Sequence, residues 1–297
     1  MDSAITVLAG ASGNLGGRIA RAILERGANL KAIVRRSSDP DKVEELRKRG
    51  AVIAEVDFNN VIELTGACRG GSCVISALSG LRDVIVETQA LLLDAALAAG
   101  VARFIPSDYS IDFTRLPPGT NRNLDLRKEF HERLDKAPIA ATSILNGMFT
   151  DLLTGQAPVI LFKLKRVVYW GDADQLLDFT TMDDTAEFTA AAALDSSTPR
   201  FLRIAGDQIS ARGLADIASE VTGEKFRLFR AGGLGRLATL IKITRAILFS
   251  SQAVYPPWQG MQYMHNMFSG RVKLDPLDND HYPGIRWATV RDVLAAR

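Results

Sequence analysis

Residues 7–17 read V-L-A-G-A-S-G-N-L-G-G, an apolar run that breaks into glycines before a helix-like pattern resumes. A strand that stops in a tight glycine turn and feeds straight into a helix is the opening unit of an open parallel sheet, so this stretch restricts the fold first. Ile5 to Ala9 reads as the strand, Leu15 to Arg26 as the helix with Gly27 as its stop, and Leu30 to Val34 as the second strand. Asp39-Pro40 suits the N-cap and first position of another helix, which Gly50 ends. Ala51 to Val56, Cys73 to Ser76 and Arg103 to Ile105 are three more strands. A helix from Val84 to Ala99 lies between the last two, and Val84, Leu91, Leu92, Ala95 and Ala99 mark its inward face. This alternation predicts an α/β fold with a Rossmann-type doubly wound parallel sheet.

Ala140 to Leu145 reads as one further buried strand, after which the alternation lapses. Val167 to Trp170, the turn G-D-A-D at 171–174 and Leu176 to Thr180 suggest a hairpin. Helices are expected at Met182 to Leu194, at Ser210 to Val221 and across much of 233–268. The expected division is a nucleotide-binding domain over 1–150, to which strands from 165–205 can add, and a smaller, partly helical C-terminal substrate lobe over 151–297. The aromatic and methionine-rich run from Tyr255 to Phe268 serves that lobe either as core or as a pocket wall.

At 297 residues and 47% hydrophobic, the chain can bury a large core. Its 36 basic and 34 acidic residues leave a net charge of +2 without clustering, so nucleic acid is not expected as a partner. The richest basic stretch, K-L-K-R at 163–166, reads as a solvated strand end or turn. Met1-Asp2-Ser3 lacks the basic flank of a signal peptide, and Lys242 and Arg245 interrupt the apolar run from Leu237 to Phe249, so no membrane span is expected. Cys68 and Cys73 fit neither a CxxC redox pair nor a zinc knuckle and read as reduced thiols in a cytoplasmic protein. The three histidines lack metal-ligand spacing, and no metal is expected.

The glycine turn is built to present backbone N–H groups and a helix N-terminus to a pyrophosphate. Gly10 permits the turn, Gly13 lets the backbone approach the anion, and Gly16 lets helix and strand pack closely. After the second strand stands Val34-Arg35-Arg36-Ser37-Ser38, with no carboxylate to hold a ribose 2′-hydroxyl. Arginine there pairs with a 2′-phosphate, which favours NADP(H) over NAD(H), unless Arg35 and Arg36 only cap a surface edge.

G-A-S-G-N-L-G at 10–16, A-I-V-R at 32–35, R-F-I-P-S-D-Y at 103–109, N-G-M-F at 146–149 and L-D-N-D-H-Y-P-G-I at 277–285 together resemble the NmrA-like and isoflavone-reductase-like branch of the atypical short-chain dehydrogenases. The resemblance implies that Gly10, Ser12, Gly13, Asn14 and Leu15 bind the pyrophosphate and Arg35 the 2′-phosphate. Asp57-Phe58 would lie beside the adenine, and Ala77, Leu78 and Ser79 along the ribose and nicotinamide. Pro106, Ser107 and Asn146, Gly147 and Phe149 of N-G-M-F would lie beyond them. Each also has a plain structural role open to it: Asp57 can cap the next helix and Phe149 can fill core.

Reduction needs a proton source as well as a hydride. None of the five tyrosines has a lysine four positions on, which excludes the Tyr-x-x-x-Lys arrangement. Isoflavone-reductase relatives use a lysine on the helix before the strand that ends near Asn146, and counting back places Arg127 at that position, with Lys128 one residue off. Leu126, Phe130 and Leu134 form the inward stripe of that helix; at about 100° per residue Arg127 borders it and Lys128 points away. Arginine anchors an anion or polarises a carbonyl but does not donate a proton usefully. His131 and Tyr109 are the replacements nearest by position, His131 otherwise reading as a surface helix residue without a titratable partner. Two functions follow as expectations. One is NADPH-dependent reduction of a small apolar carbonyl, enone or quinone-like substrate; the other is a non-catalytic NADP(H) sensor acting through a protein partner.

Overall fold

The computed structural model describes residues 4–248 and 253–297. Met1 to Ser3, and residues 249–252 within the expected helical stretch 233–268, lie outside the described residues. The chain divides into two compact units: Met1–Tyr109, Leu126–Ile144 and Thr185–Leu202 form the first, and Ser110–Asp125, Leu145–Asp184 and Arg203–Arg297 the second.

The first unit opens with β1 (Ile5–Ala9), α1 (Asn14–Glu25), β2 (Asn29–Arg35), α2 (Pro40–Lys48), β3 (Val52–Val56), α3 (Val61–Cys68) and β4 (Gly71–Ser76). It continues through α4 (Gln89–Ala98), β5 (Arg103–Ile105), α5 (Arg122–Leu134) and β6 (Ala140–Ala141), with α5 beginning in the second unit. The sheet runs β3-β2-β1-β4-β5-β6 with every pair parallel, the doubly wound order with its reversal between β1 and β4. Val7 and Ala9, alternate residues of β1, share one buried cluster with Leu64 of α3, Leu92, Leu93 and Ala96 of α4, and Phe130 and Leu134 of α5. Strand alternation turns the fully buried Leu8 to the opposite face, so both faces are covered and the strands read as continuous apolar runs.

Two sequence expectations change here. The helix expected from Val84 begins with a π-helical segment, Asp83–Thr88, before α4. Leu92 and Ala95 are buried as expected, Ile85, Leu93 and Ala96 are buried with them, and Val84, Leu91 and Ala99 pack against the core only partly buried. The strand expected over Ala140 to Leu145 is two: β6 closes the sheet, and β7 (Ser143–Leu145) pairs elsewhere.

Beyond it come β8 (Met148–Phe149), β9 (Ile160–Leu161), β10 (Arg166–Trp170), β11 (Leu177–Thr180), α6 (Met182–Leu194), β12 (Phe201–Arg203), β13 (Asp207–Ile209) and α7 (Ala211–Thr222). β14 (Arg227–Gly232), α8 (Leu234–Ile247), α9 (Pro257–Phe268) and α10 (Val290–Ala295) complete the chain. β7 pairs with β12, and two three-stranded sheets run β14-β10-β9 and β13-β11-β8. The hairpin expected over 167–180 is therefore corrected. β10 has β14 on one side and β9 on the other, so neither edge is open to β11, and the Gly171 N–H donates to the Gly232 carbonyl instead. An alternating pattern marks a strand without naming its partner.

Candidate functional site

The turn after β1 sits at the strand-order reversal. Gly10 has φ +87°, and a Cβ on it would stand 2.7 Å from the Ala77 carbonyl oxygen. A Cβ on Gly16 would come within 2.0 Å of the Gly10 oxygen, and one on Gly13 within 3.2 Å. Gly10 and Gly16 thus leave room for backbone only and Gly13 is tight, and hydrogen bonds lock the turn: Gly13 N–H to Gly10 O at 3.0 Å, and Gly17 N–H to Gly13 O at 2.8 Å. Gly13 caps α1 with no side-chain hydrogen bond and no acidic residue follows in the first turn, so the helix presents its positive end uncompensated.

Ala11, Ser12, Gly13, Asn14 and Gly17 line a cavity of about 570 Å³ together with Arg18, Arg21, Lys42 and Arg49. Lys42, on α2, escaped sequence reasoning; its position two residues into the helix that Asp39-Pro40 starts was the available signal. Leu15 is half-buried on α1 beside Gly16, which is fully enclosed.

The two arginines after β2 separate. The Arg35 side chain is exposed and makes no hydrogen bond or ion pair among the described residues. Arg36 donates to both carboxylate oxygens of Glu63 at 2.9 Å, and Glu63 also accepts from the Asp57 N–H at 2.9 Å. That backbone bond first, and Arg36 with it, hold the Glu63 carboxyl below its ordinary value. Asp57 accepts from the Asn59 N–H while Asn60 caps α3, so Asp57 shapes the turn without capping the helix. Phe58 is buried among core side chains.

Past β4, the Ala77 N–H donates to the Ala9 carbonyl at 2.9 Å, which holds Ala77 and Leu78 beside the glycine turn. Ser79 is exposed. The Leu78 carbonyl accepts from Ser107 Oγ at 2.6 Å, and the Ser107 N–H donates to Gln89 Oε1 at 2.9 Å, so Pro106 and Ser107 are tied to the same strand ends.

On α5, Arg127 is buried and its Nε donates to the Ser107 carbonyl at 3.0 Å. Lys128 is half-buried. The expectation of His131 as a partnerless surface residue is overturned: it is 8% exposed, with Nε2 2.7 Å from Asp108 Oδ2. Arg200 Nη2 approaches the other ring nitrogen at 3.2 Å. A guanidinium only donates, so Nδ1 accepts and Nε2 carries the proton given to Asp108. Ser143 Oγ donates to the same carboxylate oxygen at 2.6 Å and takes a hydrogen bond from Arg200 at 2.6 Å. Burial pushes the Asp108 carboxyl up, but His131, Ser143 and Arg127 together hold it below its ordinary value. Asp108 was missed because its ligands lie 23 and 35 positions away.

Tyr109 is enclosed in the core, and burial pushes its hydroxyl well above the ordinary tyrosine value. In the second unit, Asn146 is fully buried and neither atom of its amide has a hydrogen-bond partner among the described residues. Gly147 has φ +69°, with room for a Cβ blocked by the Asp178 oxygen at 2.4 Å, and Phe149 is half-buried on β8. Among the described residues no group of three His, Cys, Asp or Glu could hold a metal ion, and no helix is long and apolar enough to cross a membrane.

A six-stranded parallel sheet of this order, with a glycine turn and an uncapped helix at its reversal, defines a Rossmann-type α/β protein. The chain belongs to the NmrA-like family, whose model matches residues 1–247. Pinoresinol reductase 1 of Arabidopsis thaliana is 30% identical over 207 residues, 65% of each chain and so just under two thirds of that relative's length. The bifunctional pinoresinol-lariciresinol reductase of Linum perenne is 27% identical over 243 residues, 76% of this chain and 77% of that one. The solved structure of AtPrR2 with NADP+ and (+)pinoresinol has the same fold, with a TM-score of 0.83 and 21% identity over 100% of this chain and 99% of that one.

Proposed function

We propose that this chain is an NADP(H)-dependent reductase of a small, largely apolar carbonyl, enone or quinone-like compound. The observation that carries the reading is the glycine cradle at the uncapped N-terminus of α1, opening on a cavity with Arg18, Arg21 and Lys42. Backbone N–H groups of the turn bind the pyrophosphate, and unpaired Arg35 and Lys42 take the 2′-phosphate. Arg36 is secondary, being engaged by Glu63. When bound, the reduced dinucleotide supplies the hydride. Ala77, Leu78 and Ser107 border the reactive end, and Arg127, fixed on the Ser107 carbonyl, polarises the acceptor oxygen. The second unit with Asn146 provides the substrate lobe, and the cytoplasm is the setting that reduced cysteines suit. The relatives named as reductases support this reaction class.

The test is NADPH oxidation followed by absorbance against a panel of quinones, enones and aldehydes. NADPH that binds but is never oxidised by any acceptor sinks the reductase reading.

A second reading, an NADP(H) sensor working through a protein partner, is favoured by one observation: of the four candidates only Lys128, one position off the expected lysine, is left as a proton donor. Arg127 stays charged, both His131 nitrogens are engaged, and Tyr109 is enclosed. Arg127→Lys separates the two. A gain of turnover supports a reductase in which only the acid was missing, whereas a cofactor-dependent change in partner association without turnover supports the sensor.

A further inference from the structure

Arg122 and Arg245 share one indole. Their guanidinium carbons lie 4.7 Å and 5.3 Å from the Trp258 ring centroid. Arg122 is fastened by neutral oxygens alone: Nε donates to Asn123 Oδ1 at 3.0 Å, and Nη2 donates to the carbonyls of Val254 at 2.6 Å and Ala253 at 3.2 Å. The Arg245 side chain is exposed and makes no hydrogen bond or ion pair among the described residues. Burial first, and then the charge of Arg245, disfavour the Arg122 cation.

The sequence withholds a counter-charge. From Lys225 to Leu274 there is no Asp or Glu, while Arg227, Arg230, Arg236, Lys242 and Arg245 accumulate. Two guanidinium groups on one ring without a carboxylate repel each other, and an oxyanion between them turns that repulsion into two charge-assisted pairs. The surroundings are aromatic. Tyr255 is 62% exposed with its ring 6.5 Å from that of Tyr263, and Trp258 Nε1 is a buried donor with no partner among the described residues.

We propose that Arg122, Arg245 and Trp258 form a binding site for a small aromatic carboxylate. The two guanidinium groups hold the carboxylate, and the exposed Tyr255 supplies the face for the ring. The open guanidinium fork of Arg245 matches a carboxylate, Arg122 adds its remaining Nη1, and the aromatic surroundings select an aryl acid over inorganic anions. The site stands independently of the dinucleotide reading, because it needs no cofactor.

The test titrates the full chain, without dinucleotide, with benzoate, benzamide and inorganic phosphate while following tryptophan fluorescence; equilibrium dialysis with labelled benzoate repeats it without the indole signal. Benzoate is expected to bind saturably, with benzamide and phosphate at least ~10-fold weaker. Arg245→Met, at an exposed position that leaves the circular dichroism unchanged, is expected to weaken benzoate at least ~10-fold, and Arg245→Lys less. Trp258→Phe is expected to remove the fluorescence response while Trp170 and Trp287 remain. Benzamide or phosphate binding as tightly as benzoate, benzoate failing to bind, or Arg245→Met binding as the parent does overturns the proposal.

Discussion

The glycine turn after β1 and the polar cluster around His131 in the last turn of α5 are both tightly built, but by opposite means. The turn is made by leaving atoms out: Gly10, Gly13 and Gly16 bring backbone against backbone, and every contact that matters spans a few residues or one strand pair. The cluster is made by bringing charges in: Asp108, His131, Ser143 and the half-buried Arg200 come from four distant stretches and hydrogen-bond to one another. One region offers unused donors outward, as a binding site must. The other uses its donors on itself, as a positioning element does, and so holds α5 and Arg127 against the Ser107 segment.

Breaking the turn has the largest expected effect. Gly16→Val puts a Cβ where the Gly10 oxygen already stands, and neither backbone can yield cheaply. We expect a loss of about 3 kcal/mol or more in unfolding free energy and no measurable NADPH binding, read by thermal melts and by fluorescence titration.

Breaking the cluster comes next. Asp108→Asn leaves His131 and Ser143 without their buried anion, and urea unfolding at neutral pH should register a loss of about 3 kcal/mol. The pH dependence follows from the sign of the shift. The folded-state carboxyl lies below its ordinary value, so its stabilisation is complete above the unfolded-state carboxylate pKa of about 4 and fades as pH falls through the lower folded value. Asp108→Asn should flatten that acid limb; an unchanged limb would mean that other carboxylates dominate it.

Sharpening the turn requires smaller changes. Arg35→Ser should weaken NADPH about 10- to 100-fold while leaving NADH alone, and Arg36→Ser should shift NADPH by no more than about 3-fold, because Glu63 already occupies that guanidinium. Equal losses from the two variants would contradict their separation. The smallest effect is at the thiols. Burial pushes Cys68 up to about 11 and Cys73 up to about 12, so mass spectrometry after iodoacetamide at pH 7.5 should find both unmodified in the folded protein and both alkylated in urea.

The two regions also differ in how they are read from the chain. The cradle was legible because its rules are local: a strand end, glycines at fixed spacing and a helix start leave few other conformations. Arg35 and Arg36 were legible as a pair but not as individuals, since what separates them is Glu63, 27 positions on. Lys42 was overlooked although α2 itself was foreseen, because which face of α2 meets the glycine turn depends on how the helix packs. His131 was misread for a related reason. Helical spacing places it near the inward stripe, yet no local rule announces that Asp108 and Arg200 arrive from elsewhere to satisfy both ring nitrogens.

The same limit appears in the strands. Val167 to Trp170 and Leu177 to Thr180 were recognised as strands from alternation, but their pairing as a hairpin was an inference from proximity in sequence, and the structure gives β10 and β11 different sheets. By itself the sequence determined the succession of strands and helices in the first unit, the glycine turn and the arginines that point to NADP(H), because hydrophobic period, turn chemistry and helix caps act over a few residues. Only the tertiary structure decided which strands pair, which arginine stays unpaired and which titratable side chains meet, because those depend on packing between segments tens of residues apart, where short-range preference carries no information.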